Sequence, residues 1–355
     1  MKLMLLAAAN SVHTVRWANA FVERGIETHL VSQHTVGDGL SPRVSVHLLP
    51  HCSGAGYFLN YRRLRTLVNT LRPDVLNAHY ATGYGTLARA IRTVPVVLNV
   101  WGSDVYEFPE KGPVHRWLVR RNLRAAHWLV STSEVMAERV RHWVPDLPKP
   151  TVVPFGVDTD RFKPASTPRS GTPVVIGTVK TLAHTYGIDT LIEAFALLNG
   201  CAHLPPCVLR IVGGGPDRGA LERRAKALGI GDRVEFSGPV PHARVPEALR
   251  GFDVFAALSR EESFGVAVIE ASACGLPVVV SDAGGLAEVV VGGVTGTIVA
   301  RNDPPTAAKA IAELVLSNVQ RARMGEAGRA HVVEKYEWSS CVGRMIAILS
   351  RCTEH

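Results

Sequence analysis

The chain has 355 residues, 46% of them apolar and 20% charged. It is too long for one ordinary core, which points to two well-packed domains, and no apolar run approaches the roughly 20 residues a bilayer-spanning helix needs. The net charge of +8 is unevenly placed: residues 1–165 hold 20 Lys and Arg against 12 Asp and Glu, the remainder 19 of each.

Short apolar runs alternate with helical segments through the first half. KLMLLAA reads as a buried strand rather than a signal peptide, because an amphipathic helix, TVRWANAFVERG, follows it directly. THLVSQ, DVLNAHY, VPVVLNVWG and HWLVSTS read as further strands. RRLRTLVNTLRP, TGYGTLARAIRT and HRWLVRRNLRAAHW read as the helices between them. This rhythm predicts a parallel, doubly wound sheet. Arg62, Arg63 and Arg65 form a basic cluster. Arg116, Arg120 and Arg124 recur every four residues beside Trp117, Leu118 and Trp128. That stripe is either a solvated face or, with its tryptophans, a membrane-surface helix. A basic half suits an acidic partner: a phosphate-linked substrate, an anionic membrane or nucleic acid. An aromatic content of 6% and the lack of a recognised module speak against nucleic acid.

Residues 144–173 are dense in Pro, Ser, Thr and Asp and read as a hinge. The βα rhythm then restarts at VVIGTVK and runs through IDTLIEAFALLNG, CVLRIVGGG, RGALERRAKALGI, RVEFSG, VPEALRG and DVFAALS. The expected domains are 1–165 and 166–334, with a C-terminal helix, 335–355, crossing back to the first. Two such Rossmann-like domains would face a cleft at the carboxyl ends of their strands. The six cysteines, Cys52, Cys201, Cys207, Cys274, Cys341 and Cys352, include no C-x-x-C pair. Free thiols in a reducing cytosol are the expectation.

The densest chemistry lies in residues 257–299. Glu262 and Glu270 have seven residues between them, around Ser263, Phe264 and Gly265. Ser263 is a good N-cap for the helical run VAVIEASAC, which Gly275 and Pro277 end; VVVS then reads as a buried strand. A helix N-terminus binds phosphate through its free N–H groups. Glu262 can then meet a sugar and Glu270, about two turns in, a ribose. The plain alternative is a solvated loop acid and a surface helix residue, against which stands the apolar character of everything around them.

With these motifs on the page, the chain resembles glycosyltransferase family 4, retaining enzymes of the GT-B architecture, over nearly its whole length. The marks are Glu262-x7-Glu270 with SFG inside, LPVVVSDAGGLAEVV followed by GGVTGTIV, VVPFGVDTDRFKP at the hinge, and LRIVGGGPDRGALE. NSVHTVRWANAFVERG and NVWGSDVYEFP look like the branch that builds cell-surface polysaccharides and O-antigens. The resemblance implies transfer of a sugar from a nucleoside diphosphate sugar, with UDP the expected nucleotide, to a glycan or lipid-linked acceptor, with retention. It implies no cofactor and no catalytic metal, and a cytoplasmic protein in peripheral contact with the inner face of the membrane. A sugar-nucleotide epimerase of the same architecture is the alternative; a nicotinamide oxidoreductase lacks its G-x-G-x-x-G.

By resemblance, Glu262 contacts donor-sugar hydroxyls, Ser263, Phe264 and Gly265 the sugar and distal phosphate, and Glu270 the ribose. Lys180 falls where the family places a cation on the pyrophosphate, and His184 stands in for a second one. Val240 falls where backbone meets the base. Gly213 and Gly215 either admit a close-lying ligand or form an ordinary strand-to-helix turn. Trp101 replaces the usual N-domain histidine. That leaves Asp104 as a candidate for orienting a sugar or as a helix cap after a tight turn. Asn10 and Ser11 end the first strand under the diphosphate, and His13, Arg16 and His79 are acceptor-side candidates. Asp158-Thr159-Asp160 spells a metal motif in a segment the family uses structurally.

Overall fold

A computed structural model describes residues 1–167, 171–201 and 203–354; residues 168–170 of the expected hinge lie outside them. The chain forms two compact units. One comprises Met1–Phe155 with Ser339–His355, the other Gly156–Trp338.

In the first unit, β1 (Lys2–Leu6), α1 (Val12–Glu23), β2 (Glu27–Ser32) and β3 (Ser45–Leu48) come first. Next are α2 (Gly56–Leu59), α3 (Tyr61–Leu71), β4 (Val75–His79), α4 (Gly83–Arg89) and β5 (Val96–Val100). Then follow α5 (Pro113–Arg124), β6 (Trp128–Ser131), α6 (Glu134–Trp143) and β7 (Thr151–Val152). The sheet is parallel, in the order β3-β2-β1-β4-β5-β6-β7. Its central strands are buried along nearly their whole length, as an apolar run such as Leu3–Leu6 requires when helices cover both faces. The expected hinge is less irregular than its composition suggests. Thr151–Val152 adds an edge strand, and Val157 forms a bridge with Glu337.

The second unit begins with β8 (Val174–Val179), α7 (Ile188–Asn199), β9 (Cys207–Val212), α8 (Arg218–Ala227) and β10 (Val234–Gly238). It continues with α9 (Val245–Arg250), β11 (Val254–Ala257), α10 (Val266–Ala273), β12 (Val278–Ser281), α11 (Gly285–Val289) and β13 (Gly296–Val299). Helices α12 (Pro304–Leu316) and α13 (Asn318–Tyr336) complete it; α14 (Trp338–Thr353) lies from Ser339 onward with the first unit. The sheet order is β10-β9-β8-β11-β12-β13, again parallel.

Both orders reverse once, between β1 and β4 and between β8 and β11. The carboxyl ends of the strands at such a reversal splay apart and leave a crevice. Those ends carry His79 in the first unit, and Lys180 and the loop 258–265 in the second.

Residues Phe255 and Gly177 pair in the β11–β8 register, and Gly177 lies under the ring of Phe252. A Cβ at Gly177 would sit 2.2 Å from that ring. Gly177→Ala is therefore expected to cost about 1–3 kcal/mol through overpacking. A denaturant midpoint equal to the parent's would contradict the packing described.

Candidate functional site

The loop after β11 and the loop after β8 meet through charge. Lys180 Nζ and Glu262 Oε2 form an ion pair, with side chains 16% and 13% exposed. The ammonium also lies 4.6 Å from the centre of the Tyr186 ring, a cation–π contact. The Lys180 amide donates to Val212 O (2.9 Å), and Gly213 packs so closely that a Cβ there would fall 1.9 Å from Lys180 O. Gly213 thus serves the contact between the ends of β8 and β9, the turn reading of that glycine. On the other side, Gly285 N donates to Glu262 O (2.9 Å), and its Cα lies against the backbone of Ser263 and Phe264.

Helix α10 starts later than the sequence suggests. Its N-cap is Gly265, in the left-handed region at φ +103°, rather than Ser263. Gly265 suits the position twice over: it tolerates the positive φ, and a Cβ would come within 3.0 Å of Leu286. The N–H groups of Val268 and Ile269 bond to Gly265 O, so those of Val266 and Ala267 are the helix-start donors without an intrahelical partner. Phe264 is 1% exposed, and its ring meets Tyr336 edge-on at 5.8 Å, so its side chain is packed in the core.

Glu270 is the fifth residue of α10, little more than one turn in, rather than two. It is buried, with Oε1 2.8 Å from His242 Nε2. His242 is itself held by Arg161 Nη2, which donates to its carbonyl (2.8 Å). Nothing in the spacing of Glu262 and Glu270 pointed to His242, which lies in a separate turn before α9.

Residues 184–186 form a single 3-10 turn, and His184 is exposed. Its carbonyl accepts from Arg260 Nη1 (2.6 Å), and Thr185 O accepts from the Arg260 amide (2.8 Å). Arg260 also grips Asp189 bidentately, at 2.9 and 2.7 Å. Asp189 is partly desolvated, but the guanidinium holds its carboxyl below the ordinary range. This clamp fixes the loop carrying Tyr186 beside Lys180, and sequence reasoning missed it. Val240 lies half-buried just beyond β10.

In the first unit, Asn10 is exposed, and Ser11 is the N-cap of α1 without a side-chain capping bond. Arg16 is half-buried one turn further on. His13 stacks on Phe155 (4.2 Å) and meets Trp101 edge-on (5.8 Å), while His79 packs on Trp101 at 4.4 Å. His79 is 1% exposed, and its Nδ1 has no hydrogen-bond partner among the described residues. Burial pulls its pKa down to about 3, with His13 adding to the effect. Tyr80, the next residue, has a left-handed backbone at φ +73°, and burial pushes its phenol up to about 12.

Asp104 is not free to orient a sugar. One carboxylate oxygen accepts from the amides of Trp101 (3.1 Å) and Gly102 (2.8 Å), the other from Ala81 N (2.8 Å). It ties the loop after β5 to the loop after β4, closer to the cap reading than to the catalytic one. Asp158 is similarly committed: Oδ1 accepts from the amides of Asp160 (3.1 Å) and Arg161 (3.0 Å), so the apparent metal motif is a turn. All six cysteines are free, four of them buried, and burial pushes the Cys274 thiol up to about 12.

The comparisons agree with this architecture. A family model for "Glycosyl transferases group 1" matches residues 159–331, and one for "Glycosyl transferase 4-like" matches residues 2–133. Over 292 residues the chain is 31% identical to a D-inositol 3-phosphate glycosyltransferase of Corynebacterium jeikeium, covering 75% of this chain and 70% of that one. Over 213 residues it is 35% identical to a GDP-mannose-dependent alpha-(1-6)-phosphatidylinositol monomannoside mannosyltransferase of Mycolicibacterium smegmatis. That match covers 56% of this chain and 55% of the relative; the chain spans little more than half the length of several curated relatives. Among solved structures, HepE of Anabaena in complex with UDP gives a TM-score of 0.83 at 19% identity, covering 99% of this chain and 100% of that one. The fold is that of the GT-B glycosyltransferases. The chain belongs to glycosyltransferase family 4.

The buried imidazole of His79 gives a pH test. Its folded pKa lies below its unfolded value of 6.5, so the unfolded chain binds the extra proton between 6.5 and about 3. Stability is therefore lost as pH falls through that window, by up to about 1.4 kcal/mol per pH unit. His79→Phe should lack this component, so that its stability relative to the parent improves between pH 7 and pH 5 in urea titrations. Parallel pH profiles would contradict the burial described.

Proposed function

We propose that this chain transfers a sugar from a nucleoside diphosphate sugar to an acceptor, and that the second unit holds the donor. The observation that carries this reading is the Lys180–Glu262 pair at the reversal of the second sheet, beside the start of α10. In the bound state Lys180 turns from Glu262 toward the diphosphate, and the amides of Val266 and Ala267 take the distal phosphate. Glu262 then accepts from sugar hydroxyls. Glu270 accepts from the ribose hydroxyls, with His242 holding the carboxylate in place. As the glycosidic bond breaks, charge develops on the leaving diphosphate, where the Lys180 ammonium and the helix-start amides stabilise it.

We further propose retention of configuration without a catalytic metal. Two features support this: Asp104 is committed to three backbone amides, and Asp158 to its own turn. UDP is our proposed nucleotide; HepE is solved with UDP, whereas the mycobacterial relative is named for GDP-mannose, so both bases enter the test. The basic first half supports an anionic acceptor, lipid-linked or phosphorylated, and the two relatives' names contain phosphatidylinositol and inositol 3-phosphate.

A thermal-shift screen of UDP-glucose, UDP-N-acetylglucosamine and GDP-mannose is expected to give one stabilising donor. Losing a hydrogen bond to a charged group costs about 1.5–3 kcal/mol, so Glu270→Ala should weaken that donor roughly ten- to a hundredfold. A shift that survives this substitution would move the donor elsewhere. Lys180→Ala should lower kcat about a hundredfold or more, as removal of a preorganised donor to a developing anion does. An epimer formed from donor alone would favour the isomerase reading instead.

A further inference from the structure

We propose that Tyr186 is a positioning residue for the donor diphosphate: its ring keeps the Lys180 ammonium in place while Glu262 is exchanged for the ligand. The inference rests on the donor reading above and names the group that guides its cation. Lys180 has two partners of different kinds. The Glu262 carboxylate pairs with the ammonium, and the centre of the Tyr186 ring lies 4.6 Å from Nζ. Glu262 competes with a phosphate, because both are anions that accept the same N–H groups. The ring does not compete: it attracts the cation through its quadrupole and takes none of the three ammonium donors from a phosphate. Lys180 can therefore keep the ring while it changes anions. Its side chain is only 16% exposed, and withdrawal from water strengthens a cation–π contact.

The ring is held by the loop that carries Glu262. Arg260, two residues before Glu262, donates from its amide to Thr185 O (2.8 Å) and from Nη1 to His184 O (2.6 Å). Its guanidinium also grips Asp189 at 2.9 and 2.7 Å, just past the turn. Tyr186 N donates to Ala183 O (2.9 Å). Gly187 ends the turn at φ +59°, packed so closely that a Cβ would fall 2.0 Å from Leu258 O. The carboxylate and the ring thus approach Lys180 from one braced frame. A lysine stem is long and flexible. Without the ring, an ammonium released from Glu262 would have to be immobilised again by the ligand, at the cost of its regained rotamer freedom.

This reassigns the place expected for a second cation at His184. His184 is exposed and its carbonyl is committed to Arg260, whereas the ring two residues on stands beside Lys180. A neutral ring also suits the charge balance. Lys180 and Glu262 already offset one another, and a second cation as close as the ring would repel the ammonium.

The test is calorimetric titration with UDP, UMP, GDP and GMP. The parent should bind one nucleoside diphosphate more tightly than its monophosphate, and Lys180→Ala should remove that preference. Tyr186→Leu, with Tyr186→Met as a second variant lacking the ring, should lower the diphosphate affinity about tenfold and leave the monophosphate affinity as it is. Tyr186→Phe, which keeps the π face, should retain the preference. In the Lys180→Ala background, Tyr186→Leu should add no further loss. Circular dichroism checks each fold. An equal loss for mono- and diphosphate, a Tyr186→Phe variant as weak as Tyr186→Leu, or a loss that persists without Lys180 would overturn the proposal. If the parent binds neither UDP nor GDP, the transfer reading fails and takes this one with it. A parent that binds, with both variants lacking the ring binding as tightly, overturns only the role of Tyr186.

Discussion

The ion pair of Lys180 with Glu262 is the contact around which the second unit's site is built. The two residues come from loops 82 positions apart, and both side chains are mostly withdrawn from water. Such a pair is favourable only when its geometry is imposed by the surroundings, because desolvation cancels most of the Coulomb gain. Here the surroundings impose it. Gly213 lets β9 close on the Lys180 carbonyl, Gly285 lets the next loop close on Ser263 and Phe264, and Arg260 clamps the turn carrying Tyr186. In the donor reading proposed above, a cation held this way meets the diphosphate and exchanges Glu262 for it.

The same logic separates acids that are available from acids that are committed. Glu262 meets the Lys180 ammonium, with Ser259 Oγ donating to the same oxygen at 3.5 Å, and Glu270 meets His242, side-chain partners that can be shared or turned aside. Asp104 and Asp158 accept from backbone amides that cannot move without loosening their loops. Four carboxylates that look alike in sequence therefore divide into two that can serve a ligand and two that hold the chain.

Much of this was legible before the fold was known. Buried strands announce themselves as short β-branched and apolar runs, and the βα rhythm gave two parallel sheets. The Glu262–Glu270 segment stood out because two acids interrupt apolar surroundings. What stayed hidden depends on distance in the chain. His242 meets Glu270 across 28 residues, and Arg260 meets Asp189 across 71, pairings that no local pattern encodes. The start of α10 was misplaced because Ser263 is the better capping residue by composition. The loop instead closes through the positive φ of Gly265, which only the packing of Leu286 makes evident. On α5, two arginines of the basic stripe, Arg116 and Arg124, meet acids from other segments, Glu110 and Asp146, which no local pattern announces.

The central claim is that one nucleoside diphosphate sugar is gripped at both ends of the α10 start. A crystal structure of the chain soaked with the donor picked out by thermal shift tests it most directly. The account predicts ribose hydroxyls on Glu270, diphosphate oxygens within hydrogen-bond reach of Lys180 Nζ and the Val266 and Ala267 amides, and a broken Lys180–Glu262 pair. A donor bound away from Glu270, with the Lys180–Glu262 pair intact, would contradict it.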